Sequence, residues 1–437
     1  MSRAGSGPGR TPTADRGKAS RTIVAAGQSE SATESRPRRL GPRPMGLHLT
    51  SAMTSLLSSL AALPSARLGL LPWHPTLAAR AANLTTELAA AEPDALVAAV
   101  GAEIQDRLGA LTAGIQAYHD HPYRRDLPEP PVLWREGGTR LLDYNPGSGP
   151  GGRAALLVPS LINRYYVLDL MPERSLARWL AARGLRPLVV DWGDLGEAER
   201  GFDLTDYIDG RLGRALDAAV AAGGGPVPVV GYCMGGNLAL ALACRRAADV
   251  SALALLATPW NFHAELAEQA RLFATGGDAW NGVLAALGEL PVDLLQTFFA
   301  MLDPNLAVRK FTAFGRLDPE SDEARRFVAL EDWLNDGVPL AGPVARECLV
   351  GWYGENSPYR GEWRVGGEPV DPAAFTAPTL LAIPDNDRIV PPGSARALAA
   401  AMPHARVITP HAGHIGMMVG GKAEAGLWRP LADWLAS

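Results

Sequence analysis

From Val132 onward, short apolar runs rich in Val, Leu and Ala alternate with longer segments of helix formers. The runs in "AALLVPSLI", "RPLVVDWGD", "PVPVVGY", "VSALALLATPW", "PTLLAIP" and "ARVITP" have strand length and are bounded by Gly, Pro or Asp, which predicts buried strands, the first with an exposed end. Helices are predicted over "ERSLARWLAARG", closed by Gly184, over "DLTDYIDGRLGRALDAAVAAGGG", over Asn237 to Ala248, and from about Ser394 to Ala401. Repeated β-α-β units demand a mostly parallel sheet with helices on both faces, and function in such sheets gathers at the carboxyl ends of the strands.

Between Trp260 and Asp371 this alternation stops. The span holds Trp260, Trp280, Trp333, Trp352 and Trp363 with Phe298, Phe299, Phe311, Phe314 and Phe327. Residues 261–371 therefore read as an aromatic cap that lines an apolar channel, with a second small core serving only stability as the alternative. The core then comprises residues 131–260 and 372–437.

Upstream, residues 45–130 read as helical. Leu49, Met53, Leu56, Leu57, Leu60 and Leu63 share one helical face, opposite serines. Serines, Pro64 and Arg67 interrupt the apolar content and no cleavage site follows, so an amphipathic helix is expected rather than a signal peptide. No stretch approaches the length of an uninterrupted membrane-spanning helix. Pro75 to His121 continues as one or two helices before the linker "HPYRRDLPEPP".

The strand-to-helix junction "PVPVVGYCMGGNLALALA" carries the first candidate chemistry. Cys233 sits on the hinge, and Gly231 and Gly235 remove the Cβ atoms that so abrupt a turn would crowd, while Gly236 lets the next helix approach the sheet. This is the nucleophile-elbow pattern with sulfur in place of oxygen. A helix N-terminus favours the thiolate, the nucleophilic form of cysteine. Cys244, within the same helix, reads as a structural thiol.

An elbow nucleophile needs an acid and then a histidine in chain order, and the C-terminal quarter supplies both. Past the strand Thr379 to Ile383 come Asp385 and Asp387, and past the next strand come His411 and His414. Asp387 is selected because it lies further beyond the strand, where the loop turns at Pro391, and His414 because it follows Gly413.

Composition narrows the class. With 437 residues, 47% hydrophobic and 20% charged, the chain is expected to form one large soluble core with additions. Its three widely spaced cysteines argue against a disulfide framework and for a reducing compartment, and none has metal-ligand spacing. The net charge of −5 predicts no affinity for nucleic acid. Residues 1–44 hold nine Lys and Arg against three Asp and Glu, a net of +6 that leaves −11 on the rest. So polar a segment is expected to be a disordered tail, either a basic tether or an extension upstream of a start at Met45 or Met53.

The blocks "VPSLINRYYVLDLMPERSLARWLAARGLRPLVVDWGD", "GYCMGGNLALALA", "FVALEDWLNDGVPLAG", "WRVGGEPVD", "DRIVPP" and "GHIG" resemble, in the same order, the successive blocks of polyhydroxyalkanoate synthases. Dienelactone hydrolases and other elbow-cysteine hydrolases share only the GYCxGG block and the triad. The resemblance runs from about Val132 to near the C-terminus. It implies the α/β-hydrolase fold and an acyltransferase that takes 3-hydroxyacyl-CoA as substrate, with no further cofactor and no metal. The family's nucleophile falls on Cys233, its acid on Asp387 and its histidine on His414. The amides of Met234 and Ile162 would form the oxyanion hole. A thioesterase, lactonase or polyester depolymerase with the same triad is the second expectation, and a non-catalytic protein coating polyester granules the third. A homodimer, a small partner subunit and a granule surface are left open as partners, and the expected location is cytoplasmic or granule-associated. Two features depart from the family pattern: Arg388 stands where a His usually follows the acid, and the region before the core is shorter than that of the longer synthases.

Overall fold

The computed structural model describes residues 39–148, 153–265 and 276–437. Residues 1–38 of the expected tail and 266–275 of the expected cap lie outside them. After a short irregular strap, the described residues form three helices, α1 (Met45–Arg67), α2 (Ala78–Ala90) and α3 (Pro93–Asp120). A hairpin of β1 (Val132–Glu136) and β2 (Thr139–Asp143) leads into β3 (Arg153–Val158), α4 (Leu176–Ala181), β4 (Leu185–Asp191), α5 (Gly213–Gly223), β5 (Val227–Tyr232), α6 (Met234–Arg245) and β6 (Val250–Leu256). In the span expected as the cap come, among other described elements, the helices α7 (Gly277–Leu287), α8 (Val292–Leu302), α9 (Leu306–Phe314) and α10 (Asp322–Asn335). The chain returns to the core as β7 (Thr379–Ala382), α11 (Pro392–Ala401), β8 (Arg406–Ile408) and α12 (Arg429–Ala436).

The eight strands form one sheet in the order β1-β2-β4-β3-β5-β6-β7-β8, parallel from β4 to β8 with β1 and β2 antiparallel at the edge. Both faces are buried, as crossover helices require. In β5, Val227 and Val229 join the cluster under α5 and α6, while Val230 and Tyr232 join the one under α4 and α12. The predicted strands and the two-faced helical packing are present, with two differences. β3 ends at Val158, and Ser160 and Leu161 beyond it are buried, at 5% and 4% exposure, rather than exposed. The helix expected from Asp203 begins there, Asp203 and Asp206 capping one another's backbone amides, but after Leu204 and Thr205 it widens into a π-helical turn, Asp206–Leu212.

The N-terminal helices pack on the cap. Ala52 of α1 and Leu111, Ile115 and Tyr118 of α3 form a cluster with Phe311, Phe314, Ala324 and Val328 of α9 and α10. A side chain at Gly114 would place its Cβ 1.9 Å from the carbonyl oxygen of Phe311, so only glycine lets α3 and α9 approach this closely. The leucine stripe of α1 is only partly covered: Leu63 is buried, but Met53 and Leu57 remain 51% and 46% exposed. By length and composition, α1 is also the one described helix that meets the measure of a membrane span, with a mean hydropathy of 1.2 over its best window.

The tail boundary at residue 44 also falls too late. The Arg39 side chain is 3% exposed; its Nε donates to Asp332 Oδ1 at 2.8 Å and its Nη1 to the His121 carbonyl at 2.8 Å. Asp332 accepts a further bond from the Tyr118 hydroxyl at 2.8 Å, and Arg43 binds Asn335 and Asp293. Asp332 keeps 27% exposure and some hydration, so Arg39→Ala is expected to cost about 2 kcal/mol, seen as a lower urea midpoint at unchanged m-value. An unchanged midpoint would mean that this strap does not brace the cap.

Candidate active site

Cys233 is the N-cap of α6 and has φ 55 and ψ −128, a conformation few non-glycine residues adopt. Its amide donates to the Leu256 carbonyl at 2.9 Å and its carbonyl accepts from Gly236 at 2.9 Å, so the two flanking elements over-determine the strained hinge. The three glycines act through close approach. A Cβ at Gly231 would lie 2.5 Å from Gly236 Cα, one at Gly235 2.2 Å from the Val158 carbonyl oxygen, and one at Gly236 1.8 Å from Thr258 Oγ1. The thiol is thereby presented at the carboxyl end of the central strands, at the N-terminus of α6.

The structure brings His414 and Asp387 to this thiol. His414 Nδ1 is 2.7 Å from Asp387 Oδ2, with both side chains nearly inaccessible, at 6% and 0%. Asp387 Oδ1 accepts the amides of Ile389 at 2.9 Å and Val390 at 2.8 Å, which fixes the carboxylate. Cys233 hydrogen-bonds the same imidazole. Burial disfavours the charged ring, but the charge on Cys233 and the ring's hydrogen bonds with Asp387 and Cys233 outweigh it and raise the pKa to about 10. Asp385 and His411, the alternatives weighed in the sequence, pair with each other at 2.6 Å on the surface, where His411 is 74% exposed. The hydrogen bond from His411 holds the Asp385 carboxyl below its usual range. Neither lines a cavity with Cys233.

Met234 is the first residue of α6, so its amide has no partner carbonyl within the helix. Among the described residues, the Ile162 amide makes a long bond of 3.4 Å to Ser160 Oγ. Ile162 and Met234 line one cavity together with Cys233. The Arg388 side chain is 81% exposed and meets Asp303 at 3.4 Å, and it lines the same cavity as His414.

Two cavities meet at Cys233. The larger, about 310 Å³, lies under α8 to α10 and the strap before α1; its lining includes Arg43, Arg164, Arg309, Lys310 and Arg388 with Asp303 and Glu331, and Arg309 pairs with Asp303 at 2.6 Å. Lys310 and the buried Glu331 pair at 2.8 Å, and burial lowers the pKa of His48 on the same wall. The second, about 230 Å³, is lined by Phe262, Trp280, Phe298, Phe299, Trp352 and aliphatic neighbours, with no charged side chain among the described residues. Sequence reasoning placed aromatic residues in a cap but missed Arg43, His48, Lys310 and Glu331, which are far apart in the chain and resemble ordinary surface or helix charges. It also missed Tyr232, whose ring lies 5.1 Å from that of His414 and whose hydroxyl donates to the His414 carbonyl at 3.3 Å. The alternation of β5 was the available signal, since it turns Tyr232 toward the histidine's side of the sheet.

Comparisons with known proteins agree with this architecture. Residues 156–421 match the alpha/beta hydrolase fold family, and residues 128–180 match the N-terminus of poly-beta-hydroxybutyrate polymerase (PhaC). The chain is 27% identical over 351 residues to the poly(3-hydroxyalkanoate) polymerase subunit PhaC of Haloferax mediterranei, covering 77% of this chain and 69% of that protein. It is 30% identical over 286 residues to the subunit of the same name from Allochromatium vinosum, covering 64% and 79%. Among solved structures, the thioesterase domain from the curacin biosynthetic pathway superposes with a TM-score of 0.42 at 16% identity, covering 71% of this chain and all of that one, 100%. The order of sequence blocks, the sheet that carries the elbow and the match to most of a known polymerase subunit agree, and the chain belongs to the poly(3-hydroxyalkanoate) polymerase family, acyltransferases built on the α/β-hydrolase fold.

Proposed function

We propose that this enzyme transfers 3-hydroxyacyl groups from coenzyme A thioesters to Cys233 and from there to the hydroxyl of the next unit, making a polyester. The observation that carries this reading is the junction at Cys233 of a cationic cavity and an uncharged aromatic one. Arginines and a lysine suit the phosphates of coenzyme A, and the aromatic chamber suits the acyl group.

In the first half-reaction His414 takes the thiol proton, the sulfur attacks the thioester carbonyl, and the amides of Met234 and Ile162 hold the oxyanion. The carbon–sulfur bond to coenzyme A breaks, and His414 returns the proton to the departing thiolate. One thioester replaces another, so the acyl group stays activated. Acylation also removes the thiolate charge and the Cys233 hydrogen bond that raise the His414 pKa, leaving Asp387 to oppose burial. The ring thus gives up its proton more readily and reaches the neutral state, the form that can take the proton of the incoming hydroxyl. The new ester forms as the carbon–sulfur bond to Cys233 breaks, and His414 returns the proton to the thiol.

Every proton and acyl movement is assigned to Cys233, His414 and Asp387, so the reading calls on no metal or redox cofactor; coenzyme A enters as substrate. The free thiols suit a reducing cytoplasm, and the exposed Met53 and Leu57 offer α1 an apolar face for a polyester granule.

A 3-hydroxyacyl-CoA is expected to release coenzyme A while its acyl groups accumulate in ester-linked oligomers. The matching acyl-CoA without the hydroxyl is expected to acylate Cys233 and stall after a burst of about one coenzyme A per site, because deacylation lacks its nucleophile. Steady release of free acid from both substrates would assign the protein to the hydrolases instead.

A further inference from the structure

We infer that the aromatic chamber sizes the enzyme for medium-chain 3-hydroxyacyl groups, with a side chain of several carbons beyond the hydroxyl, and that Leu349 forms part of the wall setting the limit. This rests on the acyl-transfer reading above and adds the substrate class.

The chamber measures about 230 Å³ and opens at Cys233 and Met234. An apolar cavity of about 150 Å³ suffices for a benzene ring of six carbons, so this one holds a longer chain. A 3-hydroxybutyryl group extends only a methyl beyond its hydroxyl-bearing carbon. It would leave most of the lining without contact, which forfeits the dispersion energy of a filled site. The walls are rigid: Trp280 packs edge-on against Phe298 at 5.4 Å, and Phe262 lies 5.5 Å from Trp352, which in turn meets Trp363 at 5.1 Å. Such a wall does not collapse onto a short ligand, so length should be read as affinity.

The wall also carries a polar clue. Trp352 is 2% exposed, and its indole N–H has no hydrogen-bond partner among the described residues. A buried donor is ordinarily paired, and here the paired state is available when a hydroxyl or ester carbonyl enters the chamber. A plain hydrocarbon tail would leave it orphaned. Leu349 and Cys348 lie beside Trp352 on the same π-helical turn, Glu347–Gly354, and both line the chamber. Enlarging Leu349 therefore takes space from the acyl chain.

The test compares 3-hydroxybutyryl-CoA with 3-hydroxyoctanoyl-CoA by kcat/KM for coenzyme A release, with the full chain and with Leu349→Trp. The octanoyl substrate is expected to be favoured by about tenfold or more, since even one methylene in a fitted pocket is worth that much. Leu349→Trp is expected to reduce the octanoyl-to-butyryl ratio by about tenfold or more, the ratio being independent of how much enzyme folds. Preference for butyryl in the parent enzyme, or a ratio untouched by Leu349→Trp, overturns the inference while leaving acyl transfer intact. Failure of both thioesters to acylate Cys233 overturns both readings together.

Discussion

Cys233→Ala is expected to lower coenzyme A release by about 10⁴-fold or more, with no drop in the urea midpoint, whereas Cys244→Ala retains most activity. The contrast follows from place. Cys233 stands on a strained hinge at a helix N-terminus, in hydrogen-bond contact with a buried His–Asp pair. Alanine occupies the same backbone conformation at the same strain, so the fold is retained and only the nucleophile is lost. Cys244 is in the last turn of α6, and burial with the nearby Asp371 pushes its thiol up to about 11. It donates to the Asp371 carbonyl at 3.3 Å and stays protonated at neutral pH. Cys348 is buried and pushed well above its usual range by the same cause. A single equivalent of thiol-reactive probe at neutral pH should therefore label Cys233. Equal loss of turnover in both alanine variants, with both folded, would show that the nucleophile lies elsewhere.

The elbow was legible because its physics is local. A β-branched run, a hinge flanked by small residues and a helix-forming segment leave few alternatives, and the close contacts at Gly231, Gly235 and Gly236 are the reason those residue types occur there. The partners were harder to separate, since two Asp and two His occur in the same two loops. The structure uses all four, as two Asp–His pairs with nearly equal distances of 2.6 and 2.7 Å. Burial distinguishes them, and burial depends on the cap and on Tyr232, neither of which a loop sequence reports. The strap was read as tail for a related reason. Arg39 and Arg43 look like solvated charges until Asp332, Asn335 and Asp293, almost three hundred residues away, arrive to bind them. The cationic cavity was illegible on the same account, because it is assembled from the strap, β3's following loop and the cap.

Asp387→Asn is expected to cost about 10⁴-fold in turnover with the loop undisturbed. The amide oxygen of asparagine still accepts from Ile389 and Val390, so the backbone keeps its anchor at 2.9 and 2.8 Å. What faces His414 Nδ1 is then an NH₂ donor instead of an acceptor. The imidazole answers by placing its own proton on Nε2, and the nitrogen that should receive the thiol proton is already occupied. Loss of the carboxylate also removes its charge and hydrogen bond from the influences that oppose burial and raise the His414 pKa. The sign of the stability effect follows. With a folded pKa of about 10 against an ordinary 6.5, the bound proton contributes stability that is complete below the lower value and is lost as pH rises through the upper one. In the variant that loss begins at lower pH, so thermal midpoints followed from pH 7 upward should fall earlier than in the parent enzyme. Turnover within tenfold of the parent, or coincident pH profiles of the midpoint, would show that Asp387 does not orient and charge the histidine.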